Sequence, residues 1–211
     1  LTKELNPEQK DFININFGIK TLSMMKAVSN ELIKDCLKMD PILTAELMTE
    51  TNDFYYCPYI YGFSNYSRKK YRKNILKYID VMNLSGKGPA GTHLGGTGIA
   101  ISNVSKNKDL ALEYAFWIAS AECQKSLFYE SGGQPGNSVA WEDEKINMET
   151  SDFFKATRKT LELAWVRPRH NGYMEFQDKS GNIINEYLQS EISAESVCVK
   201  LSDMYNASFK E

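Results

Sequence analysis

Two histidines, four cysteines and one glycine-spaced turn are the residues on which covalent, metal or cofactor chemistry could rest in this chain. Gly86-Lys87-Gly88-Pro89-Ala90-Gly91 matches the G-x-G-x-x-G spacing of a dinucleotide-binding turn. That turn works only between a strand and a helix whose N-terminus receives the pyrophosphate. Met82-Asn83-Leu84-Ser85 makes a poor strand, and Pro89 and His93 do not open a helix, so no cofactor is expected. His93 and His170 stand beside turn residues, in His93-Leu94-Gly95-Gly96 and His170-Asn171-Gly172. A catalytic or metal-binding His needs partners at a set spacing. None is visible, so both read as loop histidines and no metal is expected. Glu142-Asp143-Glu144 reads as a solvated turn after Trp141 rather than a carboxylate site. Cys36, Cys57, Cys123 and Cys198 form no Cys-x-x-Cys pair, which argues against zinc or thioredoxin-like chemistry. They fit either two disulfides or four buried thiols, and the thiols are favoured because free Cys packs as a small hydrophobe.

A different pattern stands out, made of four loops. Tyr59 to Tyr66 supplies flat amphipathic rings, with Tyr61 and Tyr66 the candidates to face a ligand. Gly95, Gly96 and Thr97 supply open backbone donors, Gly133, Gln134 and Pro135 an amide, and Arg167 and Arg169 rigid donor forks. Rings that stack on C–H faces, combined with planar hydrogen-bonding groups, suit neutral, hydroxyl-rich molecules. The bland alternatives are core packing for the aromatics and a salt-bridged surface for the arginines.

The elements that position these loops centre on Leu94-Gly95-Gly96-Thr97-Gly98-Ile99-Ala100-Ile101-Ser102. Glycines precede a short apolar run that reads as a buried strand, and a polar loop follows. Asn107 then caps a helix with Asp109 in its first turn. That helix is expected to bury Leu110, Ala111, Tyr114, Ala115, Trp117 and Ile118. Upstream, Asn6-Pro7-Glu8 starts a helix. Apolar residues at spacings of three and four predict a long helix from Ile19 to Met39, which Asp40-Pro41 ends, and a short one over 42–48. Residues 53–68 hold seven aromatics in sixteen positions and read as a strand or two entering a loop; the cluster Lys69-Lys70-Tyr71-Arg72-Lys73 reads as a solvated face. Six of the thirteen glycines fall between Ser85 and Gly98, a candidate hinge. Further helices are predicted over 122–129, 152–165, 176–188 and 194–205.

The 211 residues allow one large domain or two small ones. Lys plus Arg against Asp plus Glu gives 25 − 27 = −2, which leaves no electrostatic footprint for nucleic acid. No apolar run approaches the roughly 20 residues that span a bilayer. There is no internal repeat. Opening on Leu1-Thr2-Lys3-Glu4, the chain reads as a trimmed protein or a fragment.

Taken in order, Leu94 to Ser102, Ser105-Lys106-Asn107, Ala111 to Ser120, Cys123-Gln124 and Ser131-Gly132-Gly133-Gln134-Pro135-Gly136 resemble the family-1 extracellular solute-binding proteins, the sugar receptors of bacterial ABC importers. Phe153-Phe154, Arg167-Pro168-Arg169, Tyr173 and the final helix pair extend the likeness, which covers about 88–205. The resemblance implies a helix-rich α/β chain forming part of a two-lobe periplasmic-binding-protein-like fold, mostly its C-terminal lobe. Residues 1–93 and 139–211 would belong to that lobe, and 94–138 would visit the N-terminal one. It further implies a carbohydrate or similar polar solute bound between lobes without chemistry, permease subunits as partners, and a periplasmic or lipid-anchored extracellular location. Tyr61, Tyr66, Gly95, Gly96, Thr97, Gly133, Gln134 and Arg167 are the ligand-contacting positions it implies. The alternatives are an α/β enzyme acting on a sugar or nucleotide, with His93 or His170 as acid or base, and a helical interaction domain.

Overall fold

A computed structural model describes residues 13–33, 35–83, 86 and 88–209. The helix expected from Asn6-Pro7 lies outside the described residues. The chain divides into two compact units, one made of Leu1–Met39 with Val166–Glu211, the other of Asp40–Trp165.

The first unit begins with α1, Ile15–Asn30, capped by Asn14, whose side chain accepts from Phe17 N. The long helix expected to Met39 stops at Asn30, and a separate 3-10 turn follows at Cys36–Lys38. Of the predicted apolar stripe, Leu22 is buried, while Met25, Val28, Leu32 and Ile33 stay exposed.

Asp40 opens the second unit. Its side chain accepts from Leu43 N at 2.7 Å with Pro41 at the first helical position, so the pair that ends the upstream pattern is also the start signal of α2, Pro41–Glu50. An extended run leads to the 3-10 turn Ser64–Ser67. Residues 71–80 then alternate between exposed and half-buried, the signature of an extended chain with one face inward. The remaining helices are α3 (Lys108–Ala119), α4 (Ala121–Lys125), α5 (Leu127–Glu130), α6 (Ser138–Glu142), α7 (Glu144–Glu149) and α8 (Phe153–Glu162). Tyr129, Ala140, Ile146, Phe153 and Phe154 form the core of this unit, with Tyr78 and Trp141 packed against it. Burying a phenylalanine is worth about 1.5–3 kcal/mol. Phe153 and Phe154 are both fully inside and meet edge to face at 5.0 Å.

The chain then completes the first unit with α9, Tyr173–Leu188, and α10, Ala194–Ala207. Leu22 from α1 joins Tyr187 from α9 and Val197, Cys198 and Leu201 from α10 in its core. A Cβ on Gly18 would sit 2.7 Å from Cys198 Sγ, so α1 and α10 meet at that glycine.

The fold is helix-rich. Strand pairing among the described residues consists of two isolated bridges, Met82 with Pro89 and His93 with Trp165. Three expectations change. Gly98, Ile99 and Ala100 are exposed and Ile101 half-buried, with no strand assigned, so the segment is not a buried strand. Of the six residues α3 is expected to bury, Leu110, Tyr114 and Trp117 are exposed and Ala111, Ala115 and Ile118 half-covered. Asn107 precedes α3, yet its side chain makes no capping bond. All four cysteines are free thiols; Cys123 and Cys198 are buried, Cys36 and Cys57 half-buried. No helix among the described residues is long and apolar enough to cross a membrane.

Candidate functional site

In the second unit the run 59–63, which leads into the 3-10 turn at Ser64, is the scaffold. Tyr59, Tyr61 and Phe63 face outward, while Ile60 and Gly62 are half-buried and Ser64 is fully buried. This period-2 alternation puts three aromatic rings on one side of the backbone. It was present in the sequence as Tyr-x-Tyr-x-Phe.

Two neighbours hold the run. The Tyr61 hydroxyl pairs with His93 Nδ1, and the two rings lie edge to face. Behind His93 is the Trp165 ring, at 5.8 Å. The main chain explains how His93 is placed. Trp165 N donates to Thr92 O at 2.7 Å and Leu94 N donates to Trp165 O at 2.8 Å. Two residues earlier, a Cβ on Gly91 would fall 1.9 Å from Leu163 O, so only glycine allows the approach. The Tyr61 ring also fills the space beside Gly95, where a Cβ would meet it at 2.8 Å.

The second neighbour is the 131–137 loop. Gln134 Oε1 accepts from Ser64 N at 2.7 Å, and its Nε2 donates to Gly62 O at 3.2 Å. Arg68 reaches the same loop, donating to Tyr129 O at 3.0 Å and Gly133 O at 3.1 Å, with its guanidinium 4.1 Å from the Tyr129 ring centroid. The loop is pinned from behind by Gln124, whose Oε1 accepts from Gly136 N, and by Trp141, whose Nε1 donates to Pro135 O, both at 2.7 Å.

The sequence-predicted residues therefore fare differently. Tyr61, Gly95 and Gln134 come to one place around the 59–63 run. Gly96 and Thr97 continue outward, exposed, from Gly95. Gln134 and Gly133 are committed to their neighbours rather than held open: the amide binds backbone, and Gly133 packs on Phe128 and accepts from Arg68. Tyr66 is buried, not a free ring. Its hydroxyl donates to Glu46 Oε1 at 2.8 Å, and Arg72 grips both oxygens of the same carboxylate at 2.7 and 2.8 Å. Burial and the acceptor Glu46 push the Tyr66 hydroxyl up to about 12, while the bonds from Arg72 and Tyr66 hold Glu46 below the usual carboxylate range. Arg72 thus leaves the solvated cluster assigned to 69–73. Arg167 belongs to the other unit, where its Nη1 donates to Gln177 Oε1 at 3.2 Å.

Neither histidine is a plain loop residue. His170, in the first unit, stacks on Phe209 at 4.0 Å and bonds Ser208 through Nε2 at 2.8 Å. Ser208 Oγ already donates to Tyr205 O at 2.6 Å, so it accepts from a protonated Nε2. Trp165 and Arg68 carry no such signal in the sequence, and His93 enters there only as an acid or base of the enzyme alternative, because their roles come from partners far along the chain.

No family model matches this chain. No curated protein matches it either. No cluster of three or more His, Cys, Asp or Glu side chains able to hold a metal occurs among the described residues. A shallow depression of about 530 Å³ lies on α10, lined by Glu195, Val199, Lys200 and Asp203 among others, and includes none of the residues above.

Proposed function

We propose that this chain is part of a solute receptor that holds a carbohydrate or similar polar molecule without altering it. Its likeness to sugar-importer receptors would make permease subunits its partners and place it outside the cytoplasm. The observation that carries the reading is the meeting of Tyr61, Gly95 and Gln134, three positions from separate stretches of sequence, around an outward-facing row of aromatic rings. Exposed rings and unpaired backbone donors at 95–97 suit a neutral, hydroxyl-rich ligand, since C–H faces stack on rings and hydroxyls take the donors. The finer arrangement, a two-lobe binding fold with 94–138 visiting a second lobe, is part of the same proposal.

The test is a panel of mono- and oligosaccharides, followed by Tyr/Trp fluorescence and thermal shift on the chain. A bound sugar raises the melting temperature by mass action. Tyr61→Ala should weaken that binding by about tenfold, roughly 1.4 kcal/mol. Absence of any shift across the panel together with consumption of a sugar would sink the receptor reading.

One observation favours a second reading. The near absence of paired strands, together with the bare apolar side of α3, suits a helical interaction domain. In that case no sugar shifts the melting temperature while the α3 face still recruits a protein.

A further inference from the structure

The alternation of residues 71–80 divides inward anchors from an outward row. Each inward residue is fastened to another part of the second unit. Asn74 N donates to Thr49 O at 3.1 Å, and its Nδ2 donates to Thr51 O at 3.0 Å. Leu76 N donates to Tyr66 O at 3.0 Å, and Leu76 O accepts from Ser67 Oγ at 2.7 Å. The Tyr78 ring meets Phe153 edge to face at 5.0 Å. Asp80 Oδ1 accepts from Thr160 N at 2.8 Å. The residues between these anchors, Lys73, Ile75, Lys77 and Ile79, are exposed, the isoleucines at 40 % and 63 %. Lys69 and Lys70 are exposed in the turn just before. The fold leaves this row charged. From Arg68 to Ile79 the chain carries six cations, Arg68, Lys69, Lys70, Arg72, Lys73 and Lys77, and no carboxylate, although its overall balance is −2. Arg68 and Arg72 are engaged by Tyr129, Gly133 and Glu46. Among the described residues the four lysines make no ion pair. Lys73 Nζ reaches only the main-chain carbonyl of Glu50, at 3.4 Å.

We infer that this row seats the protein on an anionic lipid surface, with Lys69, Lys70, Lys73 and Lys77 meeting headgroup phosphates and Ile75 and Ile79 entering the boundary between headgroups and acyl chains. Charge complementarity selects an anionic partner, because unpaired lysines near such a surface are drawn to it. The aliphatic side chains select lipid over other polyanions. They lie between the cations, and a bilayer interface is where cationic and apolar side chains on one face are satisfied together. A single-stranded nucleic acid would instead need open rings on which its bases stack. The exposed ring of this segment, Tyr71, already carries the Arg72 guanidinium 4.4 Å from its centroid and packs on Tyr66 at 5.4 Å. Since the inward residues fix the backbone, binding orders side chains alone, which keeps its entropy cost low.

The experiment is co-sedimentation of the full chain with vesicles of phosphatidylcholine alone and of an equal mixture of phosphatidylcholine and phosphatidylglycerol. Binding is expected to the mixed vesicles and not to phosphatidylcholine, and it should weaken as salt is raised. One lysine at an anionic surface is worth about fivefold in affinity, so Lys73→Gln with Lys77→Gln should weaken binding by about tenfold or more. Lys20→Gln with Lys200→Gln removes the same charge from exposed positions of the other unit and should change binding by less than about twofold. Ile75→Ser with Ile79→Ser should weaken it by about tenfold, through lost apolar burial. Every substituted side chain is exposed, so circular dichroism of each variant should match the wild type. Failure to bind the mixed vesicles, equal loss in the two lysine variants, indifference to the isoleucine change, or tighter binding of a single-stranded oligonucleotide than of the vesicles overturns the inference. Sugar binding is read without lipid, so failure of the receptor proposal leaves this result standing, and the reverse.

Discussion

At the residue scale, position in the fold changes what a side chain is for. Tyr61 and Tyr66 are five residues apart with the same chemistry, yet one faces outward beside Gly95 and the other is buried on Glu46. The Glu46 carboxylate receives Tyr66 Oη and two Arg72 nitrogens. These bonds lower its folded-state pKa, so the folded state favours the ionised form. Its contribution is therefore present above the unfolded carboxylate value, about 4.3, and is lost as pH falls through the lower folded value. Glu46→Gln should lower the melting temperature near neutral pH and make it less sensitive to acid. Melting curves of both proteins from neutral to acidic pH check this; parallel curves would contradict it. The sequence showed the glutamate and the arginine but not their meeting, because 26 residues separate them.

At the element scale, short helices here are stabilised by side chains that serve another element's backbone. Asn147 on α7 is buried, donates to Trp141 O and Asp143 O at 2.8 and 2.9 Å, and accepts from Lys155 N at 3.0 Å. One amide thus joins α6, α7 and α8. Asn147→Ala removes the side-chain partners of Trp141 O and Lys155 N, while Asp143 O keeps the bond from the residue 147 main-chain N–H, at about 1–3 kcal/mol for a group so orphaned. At this chain length each kcal/mol shifts the melting temperature by about 2–4 °C, so a fall of several degrees is expected in a thermal melt. The helices themselves were readable wherever an apolar stripe had a core to meet. Phe153-Phe154 and the closing pair α9 and α10 fall within a few residues of where periodicity put them. Periodicity misplaced the α3 face. It reports that a face is apolar, not that anything lies against it, and Leu110, Tyr114 and Trp117 are exposed.

At the scale of the whole molecule, each unit has its own core. The chain returns to the first unit at Val166, so α1 depends for its burial on helices more than a hundred residues away. The second unit's aromatic cluster falls within 78–154, with Ala45 and Tyr66 buried upstream of it. Phe154→Ala should cost about 3–5 kcal/mol and Leu201→Ala about 2–5 kcal/mol, each a large-to-small change at a closed site. Hydrogen exchange on the full chain should then localise the damage: faster exchange in α6–α8 for the first, and in α1, α9 and α10 for the second. Equal loss of protection everywhere from either variant would mean the two cores do not open separately.

Local features were legible in the order of residues: helix starts such as Asp40-Pro41, the stripes of α8, α9 and α10, and the charge balance. These follow from neighbours within a turn or two, where backbone geometry leaves few choices. Which segments meet became apparent in the folded chain alone. Folding brought His93 between Tyr61 and Trp165, committed Gln134 to Gly62 and Ser64, buried Tyr66, and left residues 95–117 uncovered. Such contacts join residues tens of positions apart, and no local pattern of residue types encodes what will stand opposite them.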